Sequence, residues 1–320
     1  MALPDVKEKW THQINELTLG ATSDEGGTRG KTVTVGGATT LPFMTFEGEM
    51  PNPPVVAGYV ADTVPDWPDV LKNAIGDEIN SPAEWAQKCV SEFGADLISL
   101  KLLGADPAVN DASPDKCSET VKQVLEAVDV PLIIWGCGED EKDNVVLPEC
   151  SQAAKGENCL IGSAKEENYR TIVAICNADK HKIISEAPVD INIGKQVNIL
   201  LQDADFDLKN VVGFQTTAAL GYGLDYVYTI LERARITGLQ GDKLMPVPQL
   251  CDVGGETWRI KEAVADEDIL PGWGALDRRG PLWEAVCAGL YLQAGADILV
   301  MAHPEAMELT RDTIDKLLSD

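Results

Sequence analysis

Histidine is scarce in these 320 residues: three are present, His12, His181 and His303, and no two are close in the chain. Cysteine is not scarce, with eight, but the eight positions (89, 117, 137, 150, 159, 176, 251 and 287) include no pair separated by only two residues. Zinc ribbons and iron–sulfur sites draw two thiolates from one loop. Neither is expected here, and no metal site is assigned. Positive charge is also short. The 26 Lys and Arg face 52 Asp and Glu, a formal charge of −26, which excludes nucleic acid and anionic membranes as natural partners. Apolar runs are too short to span a bilayer, and no signal-like segment opens the chain. A cytoplasmic protein with free thiols is the expectation.

Hydrophobic residues make up 44%, and their order is regular. In Pro281–Gly295 a helical pattern ends at a glycine suited to a left-handed cap. A run without charge follows, residues 298–303, as in a strand covered on both faces. The same phrase occurs earlier. Ser81, Pro82 and Glu84 open a helix that stops at Gly94, and Leu97 to Leu100 continue as a strand. FGADLISL and AGADILVM are one unit used twice, which points to a repeated α-to-β architecture. Strands are predicted at 55–61, 96–102, 131–137, 159–164, 182–187, 211–217, 247–252 and 298–303, with helices or loops between them. Eight such units predict a (β/α)8 TIM barrel over residues 51–320. Residues 1–50 form an N-terminal extension, with a helix over 5–17 and a β-hairpin of 31–35 with 39–46 plugging one end of the barrel. The helix over 281–294 is apolar around most of its circumference, with Glu284 its only charge, so it needs a second cover from the extension or a partner.

The site of such a barrel lies at the C-terminal strand ends. Those ends carry Lys101, Gly136, Cys137, Ser163, Lys165, Glu186, Thr216, Thr217, Asp252 and His303. A metal-dependent hydrolase would gather several His and Asp there; two qualify. Lys101 or Lys165 is placed for Schiff-base chemistry, which requires a desolvated amine. His303 before Pro304 is either a general base or a capping residue. Gly254 and Gly255 follow strand seven, where barrels often hold phosphate, but Glu256 would repel an anion.

The stretches TVTVGGATTLPF, PNPPVVAGYVADT, DLISLKLLGADP, PLIIWGCG, PVPQLCDVGGETW and ADILVMAHPEA together resemble the small subunit of corrinoid iron–sulfur proteins. These are the methyl carriers of the reductive acetyl-CoA (Wood–Ljungdahl) route of anaerobes, and the archaeal counterpart is the delta subunit of acetyl-CoA decarbonylase/synthase. The resemblance implies a TIM barrel related to pterin-binding methyltransferases. It also implies a heterodimer whose large subunit carries cobalamin and a [4Fe–4S] cluster, while the small subunit holds no cofactor and no catalytic residue. Transient partners would be the methyltetrahydrofolate methyltransferase and acetyl-CoA synthase. On this view Gln215, Thr216, Gln249, Asp252 and His303 are expected to contact the partner-bound corrinoid, through hydrogen bonds to its amide arms. The alternative is a methyltetrahydrofolate-dependent methyltransferase that binds the pterin in its own barrel. Those enzymes place Asp and Asn at strand ends, whereas strands two and three here end in Ser99, Lys101, Trp135 and Gly136, leaving Glu186 and Asp252 as candidates. A metal- or lysine-dependent lyase is the third class.

Overall fold

A computed structural model describes residues 7–319. It opens with an antiparallel pair, β1 Glu16–Leu19 and β2 Val33–Gly36. Eight parallel strands follow: β3 Val55–Ala61, β4 Leu97–Lys101, β5 Leu132–Trp135, β6 Leu160–Ala164, β7 Lys182–Glu186, β8 Val211–Phe214, β9 Leu250–Asp252 and β10 Ile298–Met301. Their order is β8-β7-β6-β5-β4-β3-β10-β9. The ring closes between β8 and β9, where Gly213 bridges Gln249 and donates its N–H to the Pro248 carbonyl at 2.8 Å. A Cβ on Gly213 would stand 2.7 Å from the Gln249 amide, which packs over the glycine at the closure. The predicted (β/α)8 barrel is the observed fold.

The helices are α1 Asp69–Ile75, α2 Pro82–Ser91, α3 Pro114–Ala127, α4 Asp140–Ala153, α5 Tyr169–Asp179, α6 Ile191–Asp203, α7 Leu224–Leu239, α8 Val253–Thr257, α9 Lys261–Val264, α10 Leu276–Ala294 and α11 Pro304–Leu318. Local chemistry sets their ends. Ser81 Oγ accepts the Glu84 N–H at 3.4 Å ahead of α2, and Ser113 Oγ accepts that of Lys116 at 3.3 Å ahead of α3. Gly94 and Gly295 adopt φ values of 69° and 109°, and the chain turns there into β4 and β10. The strands, buried along both faces, sit between the barrel interior and the helices. Among the described residues no helix is long and apolar enough to cross a membrane.

Three expectations need correction. The helix over 5–17 is absent from its described part; residues 5 and 6 lie outside the described residues. Trp10, Ile14 and Leu17 have helical spacing, but the chain is held extended by tertiary bonds. Thr11 and His12 both donate to the Leu239 carbonyl, and Ile14 donates to that of Ala38 at 2.9 Å. The hairpin forms, but residues 33–36 pair with 16–19 rather than with 39–46. It packs at the N-terminal ends of the barrel strands: Gly20 donates to the Asn158 carbonyl at 3.0 Å and Asn158 returns a bond to Thr18. Leu17, Leu19, Val33 and Val35 are buried there within the main core. Finally, α10 begins at Leu276, so Pro281 lies inside the helix, where its missing N–H forfeits one bond to the preceding turn. Glu284 is not an outward charge; it is fully buried.

Candidate functional site

At the C-terminal mouth, Lys101 closes β4 and Asp252 closes β9. The Lys101 ammonium donates to Asp252 Oδ2 in a short ion pair between side chains 15% and 6% exposed. The ammonium also lies 5.1 Å from the centroid of the Tyr59 ring and 5.0 Å from that of Trp135, a cation–π arrangement on two rings. Trp135 is held in turn by its Nε1–H donating to Ser99 Oγ at 2.9 Å. Asp252 does structural work with its other groups. Oδ1 accepts the Gly255 N–H at 3.3 Å to cap α8, and its own N–H donates to Thr217 Oγ1 at 2.8 Å. A cavity of about 600 Å³ opens over this pair, with Tyr59, Trp67, Asp106, Cys137, Glu256 and Arg259 in its walls.

The electrostatics follow from burial. Burial raises the Glu256 carboxyl, with the charge of Asp252 adding to it. The Tyr59 phenol is driven well up, first by burial and then by Asp252. Burial pushes the Cys137 thiol up to about 12. The mouth is therefore an aromatic wall around the internal Lys101–Asp252 pair, with a second pair, Glu256 with Arg259 at 3.0 Å, and Asp106 also lining the cavity, and its thiol is not activated.

The remaining strand-end candidates are also engaged. Ser163 donates to Glu186 in a short hydrogen bond. Lys165 donates to Asp140 at 3.0 Å and to the Gly138 carbonyl at 3.2 Å; burial lowers its pKa, but Asp140 and the neighbouring acids more than offset this. Gly254 and Gly255 are spacers in a tight joint: a Cβ on Gly254 would stand 2.5 Å from the Ala302 nitrogen, and one on Gly255 equally near Asp252 Oδ2. The N-terminus of α8 is thus filled by Asp252.

Of the five polar residues singled out for corrinoid contact, only Asp252 lines the cavity. Gln215 is buried against Gly194 of α6. Gln249 lies at the start of β9, donating to the Val247 carbonyl at 3.0 Å. Thr216 takes a left-handed backbone (φ 62°), and its hydroxyl donates to the Ala187 carbonyl at 2.8 Å. His303 caps α11: its Nδ1 accepts the Glu305 N–H at 3.2 Å, and its ring stacks on Trp258 at 5.7 Å. Burial pulls the imidazole down to about 4, so at neutral pH it is an uncharged cap.

Sequence reasoning missed Tyr59, Trp67 and Arg259 as cavity residues, and met Glu256 only as a charge that would repel an anion after strand seven. Tyr59 had a signal, being the one polar-tipped residue in VVAGYVA. Glu284 was noticed as the lone charge of its helix but given no role. Its carboxylate accepts the N–H groups of Ala302 (2.6 Å), His303 (3.2 Å) and Trp258 Nε1 (2.6 Å).

A family model described as CO dehydrogenase/acetyl-CoA synthase delta subunit matches residues 16–311. The chain is 37% identical over 316 residues to the acetyl-CoA decarbonylase/synthase complex subunit delta of Archaeoglobus fulgidus, covering 97% of this chain and 70% of that protein. It is 35% identical over 309 residues to the corresponding subunit of Methanocaldococcus jannaschii, covering 95% and 74%. Among solved structures, a Coxiella burnetii dihydropteroate synthase in complex with pteroic acid superposes with a TM-score of 0.57 at 13% identity, over 87% of this chain and 97% of that one; this likeness speaks to fold alone. By the family match and the identity over nearly its whole length, the chain belongs to the CO dehydrogenase/acetyl-CoA synthase delta subunit family.

Proposed function

We propose that this chain is a non-catalytic subunit of a methyl-carrying complex, the small partner of a larger subunit that holds cobalamin and a [4Fe–4S] cluster. Through that partner it supports methyl transfer from methyltetrahydrofolate, by way of its methyltransferase, to acetyl-CoA synthase. The observation that carries this reading is the mutual engagement of the mouth's ionisable groups: Lys101 is bound by Asp252 and two aromatic rings, and Glu186 by Ser163. A general acid, base or nucleophile must be free to exchange its partner for the substrate. The names of the relatives, delta subunits of a complex, support the same conclusion. The rim groups Thr63, Asp106, Glu256 and Arg259 would then meet the amide arms of an approaching corrin, with Asp252 behind them. Gln215, Gln249, Thr216 and His303 would act on that wall through packing.

A second reading is favoured by one observation, a mouth cavity of about 600 Å³ in a barrel shaped like those of pterin enzymes. That volume suits a drug-sized heterocycle, and Tyr59 and Trp67 would flank it. The test is calorimetry of the chain with methyltetrahydrofolate, beside co-expression with the corrinoid-bearing subunit. The expected result is a stable complex with that subunit and no heat from the pterin with the chain alone. Micromolar pterin binding that is lost in Asp252→Asn would overturn the subunit reading in favour of the second.

A further inference from the structure

α10 is only partly covered. Its inward side buries Cys287, Ala288, Tyr291 and Leu292. Its C-terminal end is roofed by the N-terminal segment, where Leu41, Pro42 and Met44 face Gln293 and Ala294. Among the described residues, the outward edge of its first half has no such roof. Leu282 and Val286, one turn apart, are 43% and 47% exposed, and nothing stands over Gly289 on the next turn.

Beside this edge lies the start of α7, with Tyr222 and Tyr226 at 73% and 68% exposure. Trp283 joins the two elements by donating its Nε1–H to the Leu220 carbonyl at 3.0 Å. Its ring carries Trp273 stacked at 5.6 Å and 15°, and Trp273 is itself half exposed. Exposed tyrosine and tryptophan fixed by neighbours are the side chains that carry most binding energy at protein interfaces, because little rotamer entropy is lost on docking.

The charge around this face selects the partner. Residues 220–232 and 262–277 contain seven carboxylates, among them Asp225, Asp266, Glu267, Asp268 and Asp277, against three exposed cations at their edges, Arg233, Lys261 and Arg278. A second copy of the chain would set those carboxylates against their like, on a molecule of net charge −26. A partner with an apolar centre and a basic rim would meet them favourably.

We propose that the α7–α10 face is the docking surface for the larger subunit, which offers it an apolar or aromatic knob ringed by lysine and arginine. This rests on the reading of the chain as a subunit. It adds where the partner sits: on the outer side of the barrel at the mouth-end halves of α7 and α10, from which a corrin can reach the mouth, on residues that do not themselves line the cavity.

The test uses the full chain co-expressed with the corrinoid-bearing subunit, with affinity read by analytical ultracentrifugation. Tyr226→Glu and Val286→Glu should each weaken the complex by about thirtyfold or more. Val145→Glu, at an exposed valine on α4, should leave it unchanged. Added salt should weaken the wild-type complex. Unaltered thermal midpoints would confirm that the variants fold. Wild-type association with undiminished affinity in both variants would overturn the surface while leaving the subunit reading intact. A chain that dimerises alone, and loses this in Val286→Glu, would overturn the choice of partner. A wild-type chain that never binds the corrinoid-bearing subunit would sink the subunit reading itself.

Discussion

Glu284 of α10 accepts the indole N–H of Trp258 at 2.6 Å, and no part of the acid reaches solvent. With its bonds to the Ala302 and His303 amides, the carboxylate straps α10 to the end of α8 and to the mouth end of β10. The joint is tight: a Cβ on Gly280 would stand 2.4 Å from the Trp258 ring.

Glu284→Ala should therefore lower stability by about 3 kcal/mol or more, because three buried N–H groups lose their acceptor. Urea denaturation measures this. A loss under about 1 kcal/mol would show that those groups find other acceptors.

The same joint predicts a pH signature. Burial raises the Glu284 carboxyl from 4.5 to about 7, against the pull of its three donors. A carboxyl raised in the folded state contributes stability that is full below pH 4.5 and lost as pH rises through about 7. His303 runs the other way. Lowered by burial from 6.5 to about 4, it contributes stability present above pH 6.5 and lost as pH falls towards 4. In the wild type the two trends oppose between pH 4.5 and 6.5. Glu284→Gln should leave the acid-sensitive trend alone, and His303→Asn, which keeps a capping side chain, the opposite one. Each swing should be on the order of 3 kcal/mol. Urea midpoints across this range that run parallel in all three proteins would refute the assignment.

The Lys101–Asp252 pair should couple in a double-mutant cycle. Lys101→Met and Asp252→Asn together should cost less than the sum of the two, by about 1–3 kcal/mol. Borohydride with small aldehydes should trap no adduct at Lys101, since the amine is bound as an ion pair. A trapped adduct there would reopen the lysine-dependent lyase.

All eight cysteines are free thiols, and all but Cys137 are buried. Thiol titration should count eight groups in denaturant but at most Cys137 in the native protein, and that one slowly, given a pKa of about 12. Several fast native thiols would contradict the packing around α2 to α5.

The hairpin at the barrel base should be part of the fold rather than an appendage. Leu19 has no exposed surface, so Leu19→Ala should cost about 2–5 kcal/mol by cavity formation. A loss below about 1 kcal/mol, read by the same denaturation, would make residues 16–36 dispensable.

The barrel was legible because its signals are local. Apolar runs in 97–101 and 298–301, serine caps ahead of Pro82 and Pro114, and glycines closing on β4 and β10 act over a few residues, and each survived in the structure. The extension was misread for the converse reason. Trp10, Ile14 and Leu17 keep helical spacing, yet Thr11 and His12 bond Leu239, Ile14 bonds Ala38 and Leu17 pairs with Val35, all outside the segment. Nor does any local pattern distinguish residues 16–19 from 39–46 as the partner of β2.

What the sequence by itself determined is the run of barrel strands, the closed parallel barrel and the family, because caps, periodicity and motif stretches are properties of neighbouring residues. What only the tertiary structure decided is which polar groups meet. Lys101 and Asp252 are 151 positions apart, and Trp258 reaches Glu284 across 26. Closing the barrel brings such pairs together, and desolvation then decides what they can do. It turned the lone charge of an apolar helix into a buried strap, a candidate base into an uncharged helix cap, and a candidate nucleophilic lysine into one half of an ion pair.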